Sequence, residues 1–188
     1  VVRRYEMGGL FGYDGTQSTK SWFGNHNVNG KLNFGMSEIS FYYGTNQQYF
    51  EELWYKRTET FTFEDGSQYH RHQQTEPVYS KGYDGNGGLT YNLQDGNKYM
   101  LNITAKLNHG ADPTREEKGK LYTEEYPELV TDRIDMYHSS DFTPSLDIYY
   151  QRNLKNKQFL AFNAVSTYMR TTRQNQYKEF LNNEPIVD

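Results

Sequence analysis

Two histidines and one glutamate are the residues of this sequence whose types and spacing could hold a metal ion. His70 and His72 are separated by one residue, and Glu76 follows four positions later. On a β-strand these three side chains would share one face, because successive side chains alternate between the two faces. Imidazole and carboxylate groups on one face are suitable ligands for zinc, iron or manganese. We favour an ordinary polar strand here, so we predict no metal and no cofactor and keep the three residues as an alternative.

The same residues resemble part of a known metal-binding motif. Their order, His-x-His-x-x-x-Glu, is similar to the first motif of cupins, whose second motif requires Pro-x-Gly followed by His. None of the five prolines has a glycine two residues later. The chain also has no cysteine, which excludes disulfide bonds, thiolate metal sites and cysteine catalysis. The sequence has no nucleophile-elbow motif either. The interpretation that we favour below involves no catalysis, so we expect no enzymatic activity.

Aromatic side chains interspersed with charges form a second kind of candidate site. The segment from Tyr49 to Lys56 contains four aromatic residues beside two glutamates and a lysine. Rings of this kind can stack on a sugar or hold a peptide. Covering a sheet or lying at a membrane interface is the simpler role for the same rings. The candidate ligand-binding residues are Tyr49, Trp54, Tyr55 and Tyr69.

The composition of the chain favours β-strands as the elements that position these residues. Of the 188 residues, 35% are hydrophobic and 16% are aromatic, with 18 tyrosines and 11 phenylalanines. Few aliphatic and many aromatic residues are not typical of a helical bundle or of a disordered protein. The formal net charge of -4 provides no basic surface for nucleic acid, so we predict no nucleic-acid partner.

Three hairpins with short turns are predicted from alternating hydrophobicity. The clearest strand runs from residue 99 to 108, where Tyr, Leu, Ile, Ala and Leu alternate with Met, Asn, Thr, Lys and Asn. Asp-Gly pairs favour tight turns, and they begin at Asp14, Asp65, Asp84 and Asp95. The hairpins pair residues 30–34 with 39–43, 89–93 with 99–108, and 146–150 with 159–170.

Each hairpin has one apolar and one polar face, as in a sheet with lipid on one side and a polar lumen on the other. The predicted lipid-facing residues are Leu32, Phe34, Ile39, Phe41, Leu101, Ile103, Leu146, Ile148, Leu160 and Phe162. The predicted lumen-facing residues are Asn33, Ser40, Asn92, Asn102, Thr104, Asp147 and Asn163. A soluble antiparallel sheet, with its apolar face against a core, would show the same alternation.

The connections between the hairpins are long and polar, which favours the membrane interpretation. They run from about residue 45 to 81 and from about residue 109 to 143. We expect an additional hairpin in the first connection, turning at residues 64–67, and a solvated tip at residues 112–118 in the second. Short turns that alternate with long loops are typical of transmembrane β-barrels.

The predicted hairpins resemble segments of one family of membrane proteins. Residues 143–156, which lead into residues 159–168, resemble a recurring segment of outer-membrane β-barrel proteins related to TonB-dependent receptors. Residues 28–34 and 39–46 are similar to an early barrel hairpin of that family. The resemblance covers most of the chain, and it consists of strand patterns and not of catalytic signatures.

The resemblance implies an all-β fold: an antiparallel up-and-down meander of long hairpins that is part of a transmembrane β-barrel. Members of the family carry a plug domain inside a barrel of about 22 strands. The sequence has room for neither the plug nor the full barrel. We therefore expect residues 1–188 to form a single β-barrel segment, a fragment of a longer chain, without the plug domain.

The implied function is nutrient uptake in the outer membrane of a Gram-negative type of cell envelope. The segment would form part of the pore wall and of the extracellular ligand-binding loops. The implied partners are outer-membrane lipid, the remainder of the barrel, a plug domain, a surface lipoprotein and a small nutrient, glycan or peptide ligand. Two alternatives stay open: a soluble all-β module that binds carbohydrate or peptide, and a cupin-like metalloprotein.

Overall fold

The computed structural model describes residues 7–20 and 23–187, and β-strands dominate these residues. A 3-10 helix at Lys155–Lys157 is the one helical element assigned among them. No helix in this part of the chain is long and apolar enough to cross a membrane. The strands are β1 (Gly8–Gln17), β2 (Gly24–Phe34), β3 (Ser37–Leu53), β4 (Lys56–Thr62), β5 (Gln68–Thr75), β6 (Val78–Asp95), β7 (Tyr99–Thr123), β8 (Thr131–Asn153), β9 (Phe159–Thr167), β10 (Arg170–Leu181) and β11 (Glu184–Val187).

The described strands form one antiparallel sheet, which confirms the predicted all-β antiparallel fold. Their order is β1-β2-β3-β6-β7-β8-β10-β11, with β4 and β5 forming a hairpin beside β7 and β9 lying beside β8. The order begins at β1 and ends at β11, so the described strands do not close on themselves.

The described residues divide into two compact units. Unit 1 contains the described residues of Val1–Gln47, Tyr83–Gly110 and Asp141–Thr171. Unit 2 contains those of Gln48–Gly82, Ala111–Ser140 and Thr172–Asp188.

Strands β1, β2 and β3 of unit 1 pair so that each face has its own chemistry. Directly paired residues lie on the same face of an antiparallel sheet. Three rows of residues across β1, β2 and β3 lie on one face: Gly9–Leu32–Ile39, Phe11–Gly30–Phe41 and Tyr13–Val28–Tyr43. Three further rows lie on the other face: Leu10–Lys31–Ser40, Gly12–Asn29–Tyr42 and Asp14–Asn27–Gly44. The predicted period of two is therefore confirmed, with most apolar side chains on the first face.

The three predicted short turns lie side by side along one edge of unit 1. Gly35 and Gly96 occupy two of them with φ values of 60° and 48°, in the left-handed region that glycine tolerates. The amide of Gln94 donates a 3.0 Å hydrogen bond to the carbonyl of Met36, which joins the first turn to the second. The amide of Asn153 donates a 2.8 Å bond to the carbonyl of Lys98, which joins the second to the third.

Two of the four Asp-Gly pairs are not turns, so that part of the turn prediction was wrong. Gly15 lies inside β1 and Gly85 inside β6. The Tyr13 hydroxyl and the His26 ring occupy the space that a Cβ of Gly15 would need, and the His109 ring lies against Gly85 in the same way. These glycines therefore make room for large neighbours in a flat strand.

Unit 2 contains the additional hairpin that was expected in the first long connection. It is formed by β4 and β5 and turns at Asp65-Gly66, where Gly66 has a φ of 81°. The Asp65 carboxylate accepts hydrogen bonds from the amide and hydroxyl of Ser67, and these bonds lower the pKa of Asp65. This aspartate thus stabilises the turn as an Asx motif.

The predicted solvated tip at residues 112–118 was wrong, because this segment lies inside β7. Its charged side chains form ion pairs between residues two positions apart, which lie on the same face of the strand. Arg115 Nε lies 3.1 Å from Glu117 Oε1, and Lys118 Nζ lies 3.1 Å from Glu116 Oε1. Pairing of this kind allows a highly charged segment to stay extended.

The apolar side chains of the described residues are mostly exposed and do not form a conventional core. Leu121 is the one buried hydrophobic residue among them, whereas Gln73, Thr75, Glu117 and Arg133 are buried polar residues. In unit 1, by contrast, Phe11 is 68% exposed and Phe162 is 55% exposed. The sheet therefore buries polar side chains in unit 2 and leaves aromatic ones uncovered in unit 1.

Candidate functional site

The four aromatic residues proposed as ligand-binding from the sequence all belong to unit 2, but their environments differ. Trp54 is exposed, whereas Tyr49 is half-buried. The centres of the Tyr69 and Phe61 rings lie 5.9 Å apart across the β4–β5 hairpin. Tyr55 is half-buried, and its hydroxyl takes part in a buried hydrogen-bond network.

This network, which we call the Arg133 cluster, consists of Tyr55, Gln73, Glu117 and Arg133. The Tyr55 hydroxyl oxygen accepts a 2.8 Å hydrogen bond from Gln73 Nε2 and a 2.9 Å bond from Arg133 Nη2. Arg133 Nη2 also lies 3.4 Å from Glu117 Oε2. The Arg133 residue is only 6% exposed, so its charge depends on these partners and not on water.

Strand register brings the members of the cluster together. In the β5–β7 pairing, Gln73 lies directly opposite Leu121, and Thr75 lies opposite Gly119. Glu117 is four residues from Leu121 on β7 and therefore shares its face. Tyr55 precedes β4 and is held by Thr75, whose hydroxyl accepts a 2.8 Å bond from the Tyr55 amide.

The charges around Arg133 are nearly balanced. Asp135 Oδ2 lies 3.8 Å from Arg133 Nη2, and Arg115 shares the carboxylate of Glu117. The Arg133 guanidinium also lies 5.8 Å from the centre of the Tyr177 ring. Burial and a hydrogen bond to Glu179 raise the pKa of Tyr177 to about 12. The phenol stays neutral at physiological pH and can act as a donor and as a π-face for the cation.

An open groove of about 420 Å³ adjoins the cluster within unit 2. Buried Arg133 Nε has no hydrogen-bond partner among the described residues. The groove offers cationic donors, carboxylate acceptors and an aromatic ring, a combination that suits polar, uncharged groups such as hydroxyls and amides. It is lined by Glu76, Lys118, Gly119, Asp132, Arg133, Ile134, Phe180 and Asn183.

The structure does not bring the metal-binding candidates together as the sequence suggested. His70 and His72 share one face of β5, as expected, and their Nδ1 atoms each lie 3.0 Å from a threonine hydroxyl of β4. Glu76 lies beyond the end of β5 and lines the groove instead. Glu124, at the end of β7, lies 3.2 Å from His72 Nε2. No group of three or more His, Cys, Asp or Glu side chains in residues 7–20 and 23–187 could hold a metal ion.

The polar face of unit 1 is a second candidate surface, and it is a hydrogen-bonded layer of amides and hydroxyls. Asn102 Nδ2 donates to Asn92 Oδ1 at 2.5 Å, and Asn92 Nδ2 lies 3.5 Å from a carboxylate oxygen of Glu38. The Thr104 hydroxyl is 3.2 Å from that of Thr90 and bonds to Asn102. Asn33 lies opposite Glu38 in the β2–β3 pairing. The residues predicted to face a lumen therefore share one face of these strands.

The apolar face of unit 1 continues into β8 and β9. Leu146 and Ile148 pair with Ser166 and Ala164, while Tyr150 pairs with Phe162. On the opposite face Asp147 pairs with Val165, which is exposed. The predicted separation of Leu146, Ile148, Leu160 and Phe162 from Asp147 and Asn163 holds in this register.

The chain matches no protein-family model and no curated protein.

Sequence reasoning found one member of the Arg133 cluster, Tyr55, and missed the other three. Gln73 lies in the polar run around the histidines, and Glu117 lies in the segment predicted to be a solvated tip. Arg133 is 78 residues from Tyr55 and 16 from Glu117. No local pattern joins positions this far apart, so strand pairing had to be known to find the cluster.

Proposed function

We propose that the chain is a segment of the wall of an outer-membrane β-barrel transporter of the kind related to TonB-dependent receptors. In this proposal unit 1 crosses the membrane and unit 2 carries part of the extracellular ligand-binding surface. The protein takes up a small nutrient, glycan or peptide and catalyses no reaction.

The exposed apolar face of unit 1 is the observation that carries the proposal. In a soluble protein this face would be covered, because contiguous apolar surface in water favours association. The described residues supply no such cover, since Leu121 of unit 2 is the one buried hydrophobic side chain among them. A lipid environment removes the conflict, because every second side chain of a transmembrane strand faces hydrocarbon.

The length of the apolar face supports the same proposal. On β7 the residues on this face from Tyr99 to Leu107 include Leu101 and Ile103. The eight steps between Tyr99 and Leu107 extend roughly 27 Å along the strand, or about 21 Å across a membrane at a tilt of roughly 40°. That length approaches the height of the apolar band of outer-membrane barrels, which is about 25 Å.

The opposite face of unit 1 suits a wet lumen. The amide and hydroxyl groups of Asn92, Asn102 and Thr104 bond to one another and still have capacity for further partners. A plug domain or a polar solute would contact this face. The groove beside the Arg133 cluster, which is also rich in donors and acceptors, is the proposed contact with the ligand.

A pair of neighbouring substitutions tests the proposal. Ile103→Lys places a charge on the apolar face, where a cation at the midplane costs about 2–4 kcal/mol. Thr104→Lys places the same charge on the polar face of the same strand and is the matched control. We expect the first variant, and not the second, to lose insertion into phospholipid vesicles, measured by flotation and protease protection of the full chain.

Two results would contradict the proposal. One is equal insertion of the two variants, because only a lipid-facing position distinguishes them. The other is a folded, monomeric protein in buffer without detergent or lipid. That second result would favour the soluble carbohydrate- or peptide-binding module.

A further inference from the structure

A second groove lies in unit 1, at the edge where the second and third short turns meet. It has a volume of about 510 Å³ and is open to the surroundings. It combines two cations, two tyrosines and two leucines, and no acidic residue lines it. The lining residues are Leu93, Lys98, Tyr99, Leu101, Tyr150, Arg152 and Asn153.

The two cations of the groove are accessible. Lys98 Nζ is 3.2 Å from the Asp95 carboxylate, but the Lys98 side chain is 79% exposed, so this ion pair is a weak one. The Arg152 side chain is exposed, and no carboxylate among the described residues lies within ion-pair distance of it. A guanidinium can bind two oxygens of one phosphate at once, and an ammonium adds a third contact.

The groove also belongs to the apolar face. Arg152 lies opposite Leu160 in the β8–β9 pairing, and Tyr150 lies opposite Phe162. Leu160 and Phe162 are each more than half exposed. Lys98 and Arg152 therefore lie where the apolar face ends. Tyr99 and Tyr150 lie between these cations and the aliphatic side chains. Tyrosine favours this position in membrane proteins because its ring is apolar and its hydroxyl is polar.

We propose that this groove binds a phospholipid of the membrane leaflet that faces the short turns. Arg152 and Lys98 hold the phosphate, Tyr99 and Tyr150 lie at the level of the glycerol backbone, and Leu101 and Phe162 contact the acyl chains. The inference rests on the proposed function, because it takes the apolar face of unit 1 to be the lipid-facing one.

The composition of the groove favours a lipid over a free anion. Two exposed cations on a wet surface hold a small anion weakly, since water and salt compete for both partners. A phospholipid adds apolar contacts along the same face, and these contacts keep its phosphate near the cations. The phosphate also supplies the negative counter-charge that no carboxylate of the described residues gives to the Arg152 guanidinium.

A matched pair of double variants tests this site in the full chain, reconstituted in vesicles and then extracted into detergent. Lys98→Gln with Arg152→Gln removes both cations of the groove. Lys155→Gln with Lys157→Gln removes the same charge from the neighbouring turn, whose lysines do not line the groove. Retained dioleoylphosphatidylglycerol is measured by native mass spectrometry, with dioleoylglycerol as the probe that lacks the phosphate.

We expect the groove variant to retain about tenfold less phospholipid than the wild type, as for the loss of a charge-assisted bond. The turn variant should stay close to the wild type, and dioleoylglycerol should not be retained by either. Arg152→Lys should retain more phospholipid than the groove variant but less than the wild type, since it preserves the charge and loses the two-oxygen contact. This variant separates loss of the phosphate contact from loss of folding.

Three results would overturn the inference. Equal loss in the two double variants would show a nonspecific effect of charge. Equal retention of dioleoylglycerol would show that the phosphate is not recognised. Displacement of the lipid by glycerol 3-phosphate at similar concentration would show a site for a free anion.

Flotation with vesicles separates this inference from the proposed function. If the wild-type chain inserts but the groove variant retains as much phospholipid as the wild type, only the lipid site is wrong. If the wild-type chain does not insert at all, the lipid site and the proposed function fail together.

Discussion

Arg133 donates a 2.9 Å hydrogen bond to the hydroxyl of Tyr55, a residue 78 positions earlier in the chain. The same hydroxyl accepts a bond from Gln73, so one phenol oxygen joins β5, β8 and the start of β4. Arg133 and Gln73 are among the most buried polar side chains of the described residues. Unit 2 therefore holds its strands together partly through polar contacts, and these can be tested separately.

Removal of Arg133 should destabilise the protein strongly. In Arg133→Ala, Glu117 loses its buried cation and Tyr55 loses a donor, and breaking a buried ion pair costs about 3–5 kcal/mol. Tyr55→Phe removes only the hydroxyl and should cost about 1–3 kcal/mol, because two donors lose their acceptor. The measurement is the free energy of unfolding by denaturant in detergent.

The double variant and a surface control complete this test. The effects of the two substitutions should be less than additive, since both break the same bond. Arg173→Ala changes an exposed arginine on β10 and should stay within about 0.5 kcal/mol of the wild type. Equal effects of Arg133→Ala and Arg173→Ala would contradict the role given to the buried bond.

The free energy of unfolding should fall in acid, because Glu59 then becomes protonated. The hydrogen bond from Arg71 lowers the pKa of Glu59 below its ordinary value of 4.5, against a smaller effect of burial. A carboxylate with a lowered pKa in the folded state adds stability above its unfolded pKa, and this stability is lost as the pH falls through the folded pKa. The window therefore begins near pH 4.5 and extends below it.

Glu59→Gln should remove this contribution. Its free energy of unfolding should lie below that of the wild type at neutral pH and approach the wild-type value as the pH falls below 4.5. Glu125→Gln, on an exposed loop, is the control and should leave the pH dependence unchanged. Parallel curves for the wild type and Glu59→Gln would show that the Arg71 contact does not affect stability.

Gly85 should not tolerate a side chain. Its neighbours are the His109 ring and the Tyr43 hydroxyl, which bond to each other at 2.9 Å. Gly85→Val would force one of these rings to move, and overpacking of this kind costs about 1–3 kcal/mol. Gly8→Val introduces valine where no atom lies within 4 Å of the new Cβ and should be neutral or slightly stabilising. The midpoint of thermal unfolding compares the two, and a larger loss for Gly8→Val would refute the steric argument.

The turns show how far local sequence can be trusted. At Asp65 and Asp95 the Asp-Gly pair is flanked by strands that can pair with each other at once, and a turn forms. At Asp14 and Asp84 the same dipeptide lies within a strand. The glycine there is needed because a ring from the neighbouring strand covers it, and that neighbour cannot be identified from the dipeptide.

The candidate site shows the same limit. The two histidines share a face because they are two residues apart on one strand, and the sequence predicts that directly. The carboxylate beside them belongs to Glu124 and not to Glu76, because β5 pairs with the distant end of β7. Arg133 on β8 likewise bonds to Tyr55, a contact between segments that are far apart in the sequence.

The sequence by itself determined the all-β class, the period of two that separates apolar from polar faces, and the short turns of unit 1. These features are local, because alternation and turn geometry depend on residues a few positions apart. Only the tertiary structure decided which strands are neighbours, that charged residues 112–118 extend β7, and that Arg133, Glu117, Gln73 and Tyr55 meet. Those contacts depend on backbone hydrogen bonds between distant segments, and such bonds are available to any extended strand whatever its side chains.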